Sequence, residues 1–464
     1  LKRRIDRLDR AALTFIAVML ALIVLLVVRG DRVGVQVTRT APLDQAQSVS
    51  TRAQVALTFS ELMPAEEMEG HIQISPPLSG TWRWSGTTAY YVPSGVLRQD
   101  TTYTVTVSPG AKSAKGRAML RSMTWRFHTG HARVVYLAPA TEIGNLYVQD
   151  VTPDGTRRRL TDEPQGVYDF AVSPDGMRIV YSVTQQNGAR DLWIINADGS
   201  GRQQLVACDQ QVCQSPSWSA DSTRIAFERR VLVQGAVGVS PGPAHIWLYD
   251  FSSQTIAPLM NDTQQLGNLP IWAPVGDKLA FYDPTASMIT LYDVVSGERT
   301  QLSSVLGDPG AWSPDGQQLI YADLKATDRG QFNQLLRADL VSGVITPVTP
   351  LSSSNDTAVT WSPIGTQIAF TRQHLSTAGA SAGVMPIGPQ VWVSTPLGEG
   401  ARALTDQESY SYGGLAYSPD GEWIVAVRNN LQLPNPKPQL WLISQDGSRQ
   451  TQLAEDATIP AWLP

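Results

Sequence analysis

Trp312-Ser313-Pro314-Asp315-Gly316 and Tyr417-Ser418-Pro419-Asp420-Gly421 are the two fullest copies of a motif that recurs after residue 170. Weaker copies read Val172-Ser173-Pro174-Asp175-Gly176, Trp218-Ser219-Ala220-Asp221, Trp272-Ala273-Pro274 and Trp361-Ser362-Pro363, and Ala461-Trp462-Leu463-Pro464 is a truncated seventh. Aligned on the residue before the Ser, the copies fall at 172, 218, 272, 312, 361, 417 and 462, spaced by 46, 54, 40, 49, 56 and 45 residues. A period of this length, with four short strands in each unit, is the pattern of propeller blades.

Within a unit the order is constant. An apolar entry strand leads to a tight Pro-Asp-Gly turn, a second strand such as Ile225-Ala226-Phe227 or Ile368-Ala369-Phe370, a variable connection, and a third strand that carries Tyr147, Trp193, Trp247, Trp392 or Trp441. A further turn (Asp198-Gly199, Ser296-Gly297, Ser342-Gly343, Asp446-Gly447) leads to the outer strand. Pro presets φ at the turn and Gly accepts a positive φ, so each sheet reverses at fixed register. The first unit, Val134 to Thr161, lacks an entry strand, and Ile459 to Trp462 is an entry strand with nothing after it. The two fragments are expected to complete one blade and close the ring, leaving no long free sheet edge.

The repeats, together with Leu192-Trp193-Ile194-Ile195-Asn196-Ala197-Asp198-Gly199, resemble the TolB-type propeller over residues 133 to 464. That resemblance implies binding of other envelope proteins. Units four and five depart from it, with Thr290 and Leu336 at the aromatic position and Val275-Gly276 in place of Asp-Gly.

Residues 41 to 130 alternate in the manner of strands: Val55-Ala56-Leu57-Thr58-Phe59, His71-Ile72-Gln73-Ile74, Thr81-Trp82-Arg83-Trp84, Thr102-Tyr103-Thr104-Val105 and Trp125-Arg126-Phe127. Within them, Leu57-Thr58-Phe59-Ser60-Glu61-Leu62-Met63, Leu97 through Tyr103-Thr104-Val105, and Trp125-Arg126-Phe127-His128-Thr129 resemble the bacterial Ig-like domain of exported proteins, without the Cys pair of antibody domains, and imply a β-sandwich serving as spacer or docking surface. Before it, Ala11 to Val28 is an uncharged apolar run flanked by Lys2, Arg3, Arg4, Arg7 and Arg10. No small-x-small cleavage site follows, so the run reads as an uncleaved signal-anchor with its N-terminus in the cytoplasm. The fold class is therefore all-β: a seven-bladed β-propeller over 133–464 and an Ig-like β-sandwich over 41–130, with one N-terminal transmembrane helix over 11–28, a basic cytoplasmic tail over 1–10 and a linker over 29–40.

The whole chain carries 36 Lys plus Arg against 41 Asp plus Glu. Residues 1–32 hold seven basic and three acidic groups, which leaves 29 against 38, a charge of −9, on the remainder. An acidic body with no basic cluster argues against nucleic acid. Cys208 and Cys213 stand five apart in an exported context, where a local disulfide is expected; two Cys without neighbouring ligands supply half of a zinc shell. His71, His128, His131 and His245 show no paired spacing, and no cofactor or metal is expected.

Two segments fit the pattern G-x-S-x-G, Gly238-Val239-Ser240-Pro241-Gly242 and Gly379-Ala380-Ser381-Ala382-Gly383. Both lie in Gly-rich stretches rather than at a strand-to-helix turn, and Pro241 lacks the N–H that an oxyanion hole requires. A non-enzymatic interaction or scaffold protein of the cell envelope, held on the cytoplasmic membrane with its bulk outside and binding an envelope or extracellular protein, is the expected function. A hydrolase of prolyl-oligopeptidase-like ancestry is one alternative. A glycan or small-ligand binder using the central channel is the other, set against the small or apolar residues Ala171, Ser217, Ile271, Ala311, Thr360, Ala416 and Ala461 before each aligned position. Four stretches exceed hairpin closure: Glu228 to Ala244, Asp323 to Gln334, Arg372 to Gln390 and Arg428 to Pro438. Long loops on a rigid scaffold carry recognition, which makes Arg230, Arg329, His374, Tyr410 and Tyr412 the candidate partner contacts.

Overall fold

The computed structural model describes residues 7–30, 34–51, 53–93, 95–152, 155–235, 238–260, 262, 264–328, 330–351, 354–374 and 388–464. The chain divides into two compact units, one of residues 1–49 and 53–130, the other of residues 50–52 and 131–464.

In the first unit a helix, Arg7–Gly30, precedes a β-sandwich. The helix contains the expected span over 11–28, but its side chains are described only from 13 to 24. There Leu13, Phe15, Ile16, Leu20 and Val24 are exposed. Among the described residues no helix is long and apolar enough to cross a membrane. One sheet of the sandwich orders Val37–Ala41, Val55–Phe59, Thr88–Pro93 and Gly80–Ser85, and the other Ala46–Val49, Met123–Thr129, Thr102–Val107 and Ile72–Ser75. Alternation places Leu57, Phe59, Tyr103, Val105, Trp125 and Phe127 in one core while the intervening residues face outward.

The second unit is built of four-stranded antiparallel sheets in chain order. The first sheet orders Thr458–Leu463, Arg133–Ala138, Asn145–Asp150 and Arg157–Arg159. The last strand of the chain thus occupies the inner place, with Trp462 opposite Val134 and Ala461 opposite Val135. The inner strands of the following sheets are Val167–Val172, Gln211–Trp218, Asn268–Trp272, Ala311–Trp312, Ser354–Trp361 and Tyr410–Tyr417. The second and third sheets are continuous through one parallel pairing, Arg190 with Val212. Neighbouring sheets share apolar clusters, for example Phe170, Val183 and Leu137 between the first and second, and Trp361, Phe370 and Ile320 between the fifth and sixth. A further cluster unites the last sheet with the first through Val425, Leu442, Val134 and Trp462.

The repeated motif acts through hydrogen bonds. In each full copy the Ser hydroxyl donates to the Asp carboxylate, at 2.5 Å for Ser173–Asp175, Ser313–Asp315 and Ser418–Asp420. The same Asp accepts the backbone N–H two residues on, and the Ser oxygen accepts the N–H five residues on. The Asp oxygens are therefore engaged in holding the turn.

The aromatic residue of the motif staples sheets together. The indole N–H of Trp218 donates to the Ala171 carbonyl of the preceding sheet (3.1 Å), Trp312 to Ile271 (3.2 Å), Trp361 to Ala311 (3.1 Å) and Trp462 to Ala416 (2.9 Å). The indole nitrogen of Trp272 and the hydroxyl of Tyr417 have no such acceptor among the described residues. At the third-to-fourth joint the Trp272 backbone N–H instead donates to Ser217 Oγ at 3.1 Å.

Most inner strands carry a bulge three residues before the aligned position, where Ser215, Leu269, Ala358, Gly414 and Ile459 take positive φ. Cys208 and Cys213 are joined by a disulfide and buried against the core between the second and third sheets.

Two of the expected long loops are not loops. Arg224–Gly235 pairs with Gly238–Asp250, and Gln318–Thr327 pairs with Gly330–Asp339, so the chain continues as projecting hairpins. Sequence alternation misses the first because Gly238, Pro241, Gly242 and Pro243 interrupt the pattern, and the register shifts between Arg230 and Leu232, where Gly242 and Pro243 have no partner before pairing resumes at Pro241.

Candidate partner-binding rim

The second-to-third-strand hairpins and the sheet-to-sheet connections share one rim of the unit. Its polar groups are buried or half-buried and mutually bonded. Glu228, its side chain 1% exposed, takes the Arg230 guanidinium at 2.8 Å. It also accepts the Leu269 bulge N–H at 2.7 Å and the Gln214 amide at 3.0 Å. Gln214 accepts from Arg190, which lies 3.6 Å from the centroid of the Tyr168 ring. Asp169 accepts from the Ser182 hydroxyl and from the bulge N–H of Ser215 (2.6 Å). The acids of this rim thus satisfy backbone donors that the inner-strand bulges free from pairing.

Burial pushes the Asp169 carboxyl up to about 6, against the opposing effect of the hydrogen bonds from Ser182 and Ser215. Between its ordinary value and the raised one, the folded chain binds a proton that the unfolded chain does not. The Asp169 contribution to stability should therefore grow as pH falls from about 7 to about 5. Urea midpoints of wild type and Asp169→Asn across this interval check it; equal pH slopes for the two would contradict the shift.

The five expected contacts separate. Arg230 is committed to Glu228. Tyr410 lies under the Arg428 guanidinium at 3.9 Å, and Arg428 also sits over Trp441 at 3.8 Å. His374 is exposed and meets Trp392 edge-on at 5.8 Å. Tyr412 is 4% exposed within the core between the sixth and seventh sheets, so it is a packing residue and not an available contact. Alternation along Tyr410–Tyr417 turns its ring inward. Arg329 lies outside the described residues. Of the two G-x-S-x-G segments, Ser240 stands in an extended strand opposite Val233, and Ser381 lies outside the described residues.

The third sheet adds a cleft that these stretches had not marked. A cavity of about 420 Å³ is lined by Arg229, Val231, His245, Trp247, Met260 and Gln265, among others. Arg229 lies over Trp247 at 4.7 Å and donates through Nε to Gln211 Oε1 at 2.7 Å. The nearer signal was in the repeat: Arg229, Arg372 and Arg428 occupy equivalent places in their units, two residues after the second-strand residue paired with the third-strand Trp.

Residues 31–129 match the bacterial Ig-like domain family. The curated relatives align over short stretches. Dipeptidyl-peptidase 5 of Porphyromonas gingivalis is 32% identical over 104 residues, 20% of this chain and 15% of that protein. The Tol-Pal system protein TolB of Anaeromyxobacter dehalogenans is 45% identical over 53 residues, 11% of each. The aligned part of the chain thus spans a small fraction of the curated relatives' length. Among solved structures, TolB from Acinetobacter baumannii superimposes with a TM-score of 0.43 at 17% identity, covering 79% of this chain and 81% of that one. A prolyl endopeptidase structure gives 0.48 at 13%, covering 84% and 50%.

Proposed function

We propose that the protein is a membrane-anchored, extracytoplasmic interaction protein that presents a seven-bladed β-propeller and an Ig-like domain to an envelope or extracellular partner. The observation that carries it is the pair of projecting hairpins, Arg224–Gly235 with Gly238–Asp250 and Gln318–Thr327 with Gly330–Asp339, which extend past their neighbouring strands on the rim opposite the short repeated turns. A rigid ring with such extensions on one side is a recognition scaffold. The exposed apolar side chains from Leu13 to Val24, with Lys2, Arg3, Arg4, Arg7 and Arg10 before them, support an anchor with its N-terminus inside. The Cys208–Cys213 disulfide supports an oxidising location.

Photo-crosslinking amino acids placed at Val239 and Ala326, near the hairpin tips, and at Val275 and Val341, on the short turns, test the reading in intact cells. Partner adducts from the first pair and none from the second are expected; adducts confined to the turns would overturn it. Retention in the membrane fraction, lost on removal of residues 1–32, tests the anchor. A peptidase reading is favoured by the Dipeptidyl-peptidase 5 similarity. Cleavage of dipeptidyl substrates that disappears in Ser240→Ala or Ser381→Ala would establish it in place of the scaffold.

A further inference from the structure

The repeats permit an internal comparison of three guanidinium groups. Arg229 pairs in register with His245, Arg372 with Gln390 and Arg428 with Gln439, each two residues before the third-strand tryptophan. Each guanidinium covers that ring, at 4.7 Å from Trp247, 4.6 Å from Trp392 and 3.8 Å from Trp441. Their neutralisation differs. Arg372 forms a two-pronged pair with Asp356, at 2.7 and 2.9 Å. Arg428 donates to Gln407 and Gln439 and is enclosed between Tyr410 and Trp441. Arg229 gives only Nε to Gln211, and among the described residues no carboxylate pairs with it.

Arg229 also borders the cavity of about 420 Å³, far larger than an inorganic anion fills. Asp262 lines the same cavity and is exposed, one of its oxygens accepting the Gln264 N–H at 2.9 Å. Strand alternation puts Val231 and Val233 on the Arg229 face, opposite Gln211 and Ser240 in register. These two are 59% and 48% exposed. The face therefore reads outward as cation, apolar, apolar. Pro241 and Pro243 remove N–H donors from the second arm of the hairpin, which disfavours adding a strand there. A ligand held here is registered by its end group and side chains.

We propose that the Arg229 cleft captures the C-terminal carboxylate of an extended peptide whose preceding aliphatic side chains lie along Val231 and Val233. The proposal rests on the partner-recognition reading and supplies its chemistry. An Arg–carboxylate pair beside an aromatic face, with a neighbouring apolar stripe, recognises a charge and a hydrophobe at fixed separation.

The probe is a fluorescein-labelled Ser-Thr-Val-Leu-Val peptide with a free carboxylate, its C-terminal amide, and an amide carrying an internal Asp, each titrated by anisotropy against the full chain. The free acid should bind at least about tenfold more tightly than either amide. Arg229→Gln should bring the acid to the level of the amide. Because that change removes a packed side chain, Val233→Glu on the exposed hairpin provides a second variant, with the acid expected to weaken about tenfold by charge repulsion. No binding of the acid at millimolar protein, equal binding of acid and amide, preference for the internal Asp, or insensitivity to Val233→Glu would each overturn the carboxylate site. Persistence of crosslinks from Val239 alongside any of these would leave the recognition scaffold standing and remove only the cleft, whereas loss of the crosslinks with acid-selective binding intact would do the reverse.

Discussion

Trp462→Ala should lower the stability of the second unit by about 3–5 kcal/mol, the cost of emptying a buried indole site. Trp462 is 8% exposed, packs with Val134, Val425 and Leu442, and donates to the Ala416 carbonyl at 2.9 Å. Its loss removes apolar contact and leaves a carbonyl short of a donor at the joint between the last sheet and the first. Removing Ile459 to Pro464 goes further, since the Arg133–Ala138 strand then loses its partners opposite Arg133, Val134 and Val135 and keeps only Thr458 opposite Leu137. That truncation should prevent cooperative folding of residues 131–464 while the sandwich keeps its own transition. Calorimetry of the full chain and of the two variants measures both effects; an unchanged transition of residues 131–464 in Trp462→Ala would show that the seam carries no stability.

Asp356→Asn is expected to cost about 3–5 kcal/mol, because it strands a guanidinium whose surroundings exclude water. The Arg372 and Asp356 side chains are 9% and 1% exposed, and the guanidinium is otherwise held against Trp392 and Phe370. Desolvating two charges offsets most of their attraction, so the pair itself contributes little while either half alone is strongly unfavourable. The double variant Asp356→Leu with Arg372→Met should therefore be more stable than Asp356→Asn. Urea unfolding of Asp356→Asn and the double variant decides it, and a double variant less stable than Asp356→Asn would contradict the account.

The repeat was legible because its chemistry is local. A Ser that donates to the Asp two places on, a Pro that fixes φ and a Gly at positive φ specify a turn without any tertiary partner, so Ser313 to Gly316 announces its geometry. The pairing of Ile459 to Trp462 with Arg133–Ala138 was legible by elimination, one unit lacking an entry strand and one entry strand lacking a unit. The site was less so. Tyr412 looked available because sequence gives its hydroxyl and not the neighbouring sheet, with Ala369, Val391 and Leu404, against which its ring packs. Arg229 passed unremarked because its distinction from Arg372 lies in what a different strand brings near it, Gln211 in one sheet and Asp356 in the other. The bulge N–H groups taken up by Asp169 and Glu228 belong to the same class, since both donors arrive from the next sheet.

The indole staples are unevenly distributed among the joints between sheets. Bonds from Trp218, Trp312, Trp361 and Trp462 tie the sheets into arcs of two, three and two, while Val172, the free indole of Trp272 and the free hydroxyl of Tyr417 mark the places between them. Those three places are closed by guanidinium groups instead, Arg158 to the Ala197 and Asp198 carbonyls, Arg224 to Asp277, and Arg402 to the Gln445 and Asp446 carbonyls, so a polar bond crosses each of them as well.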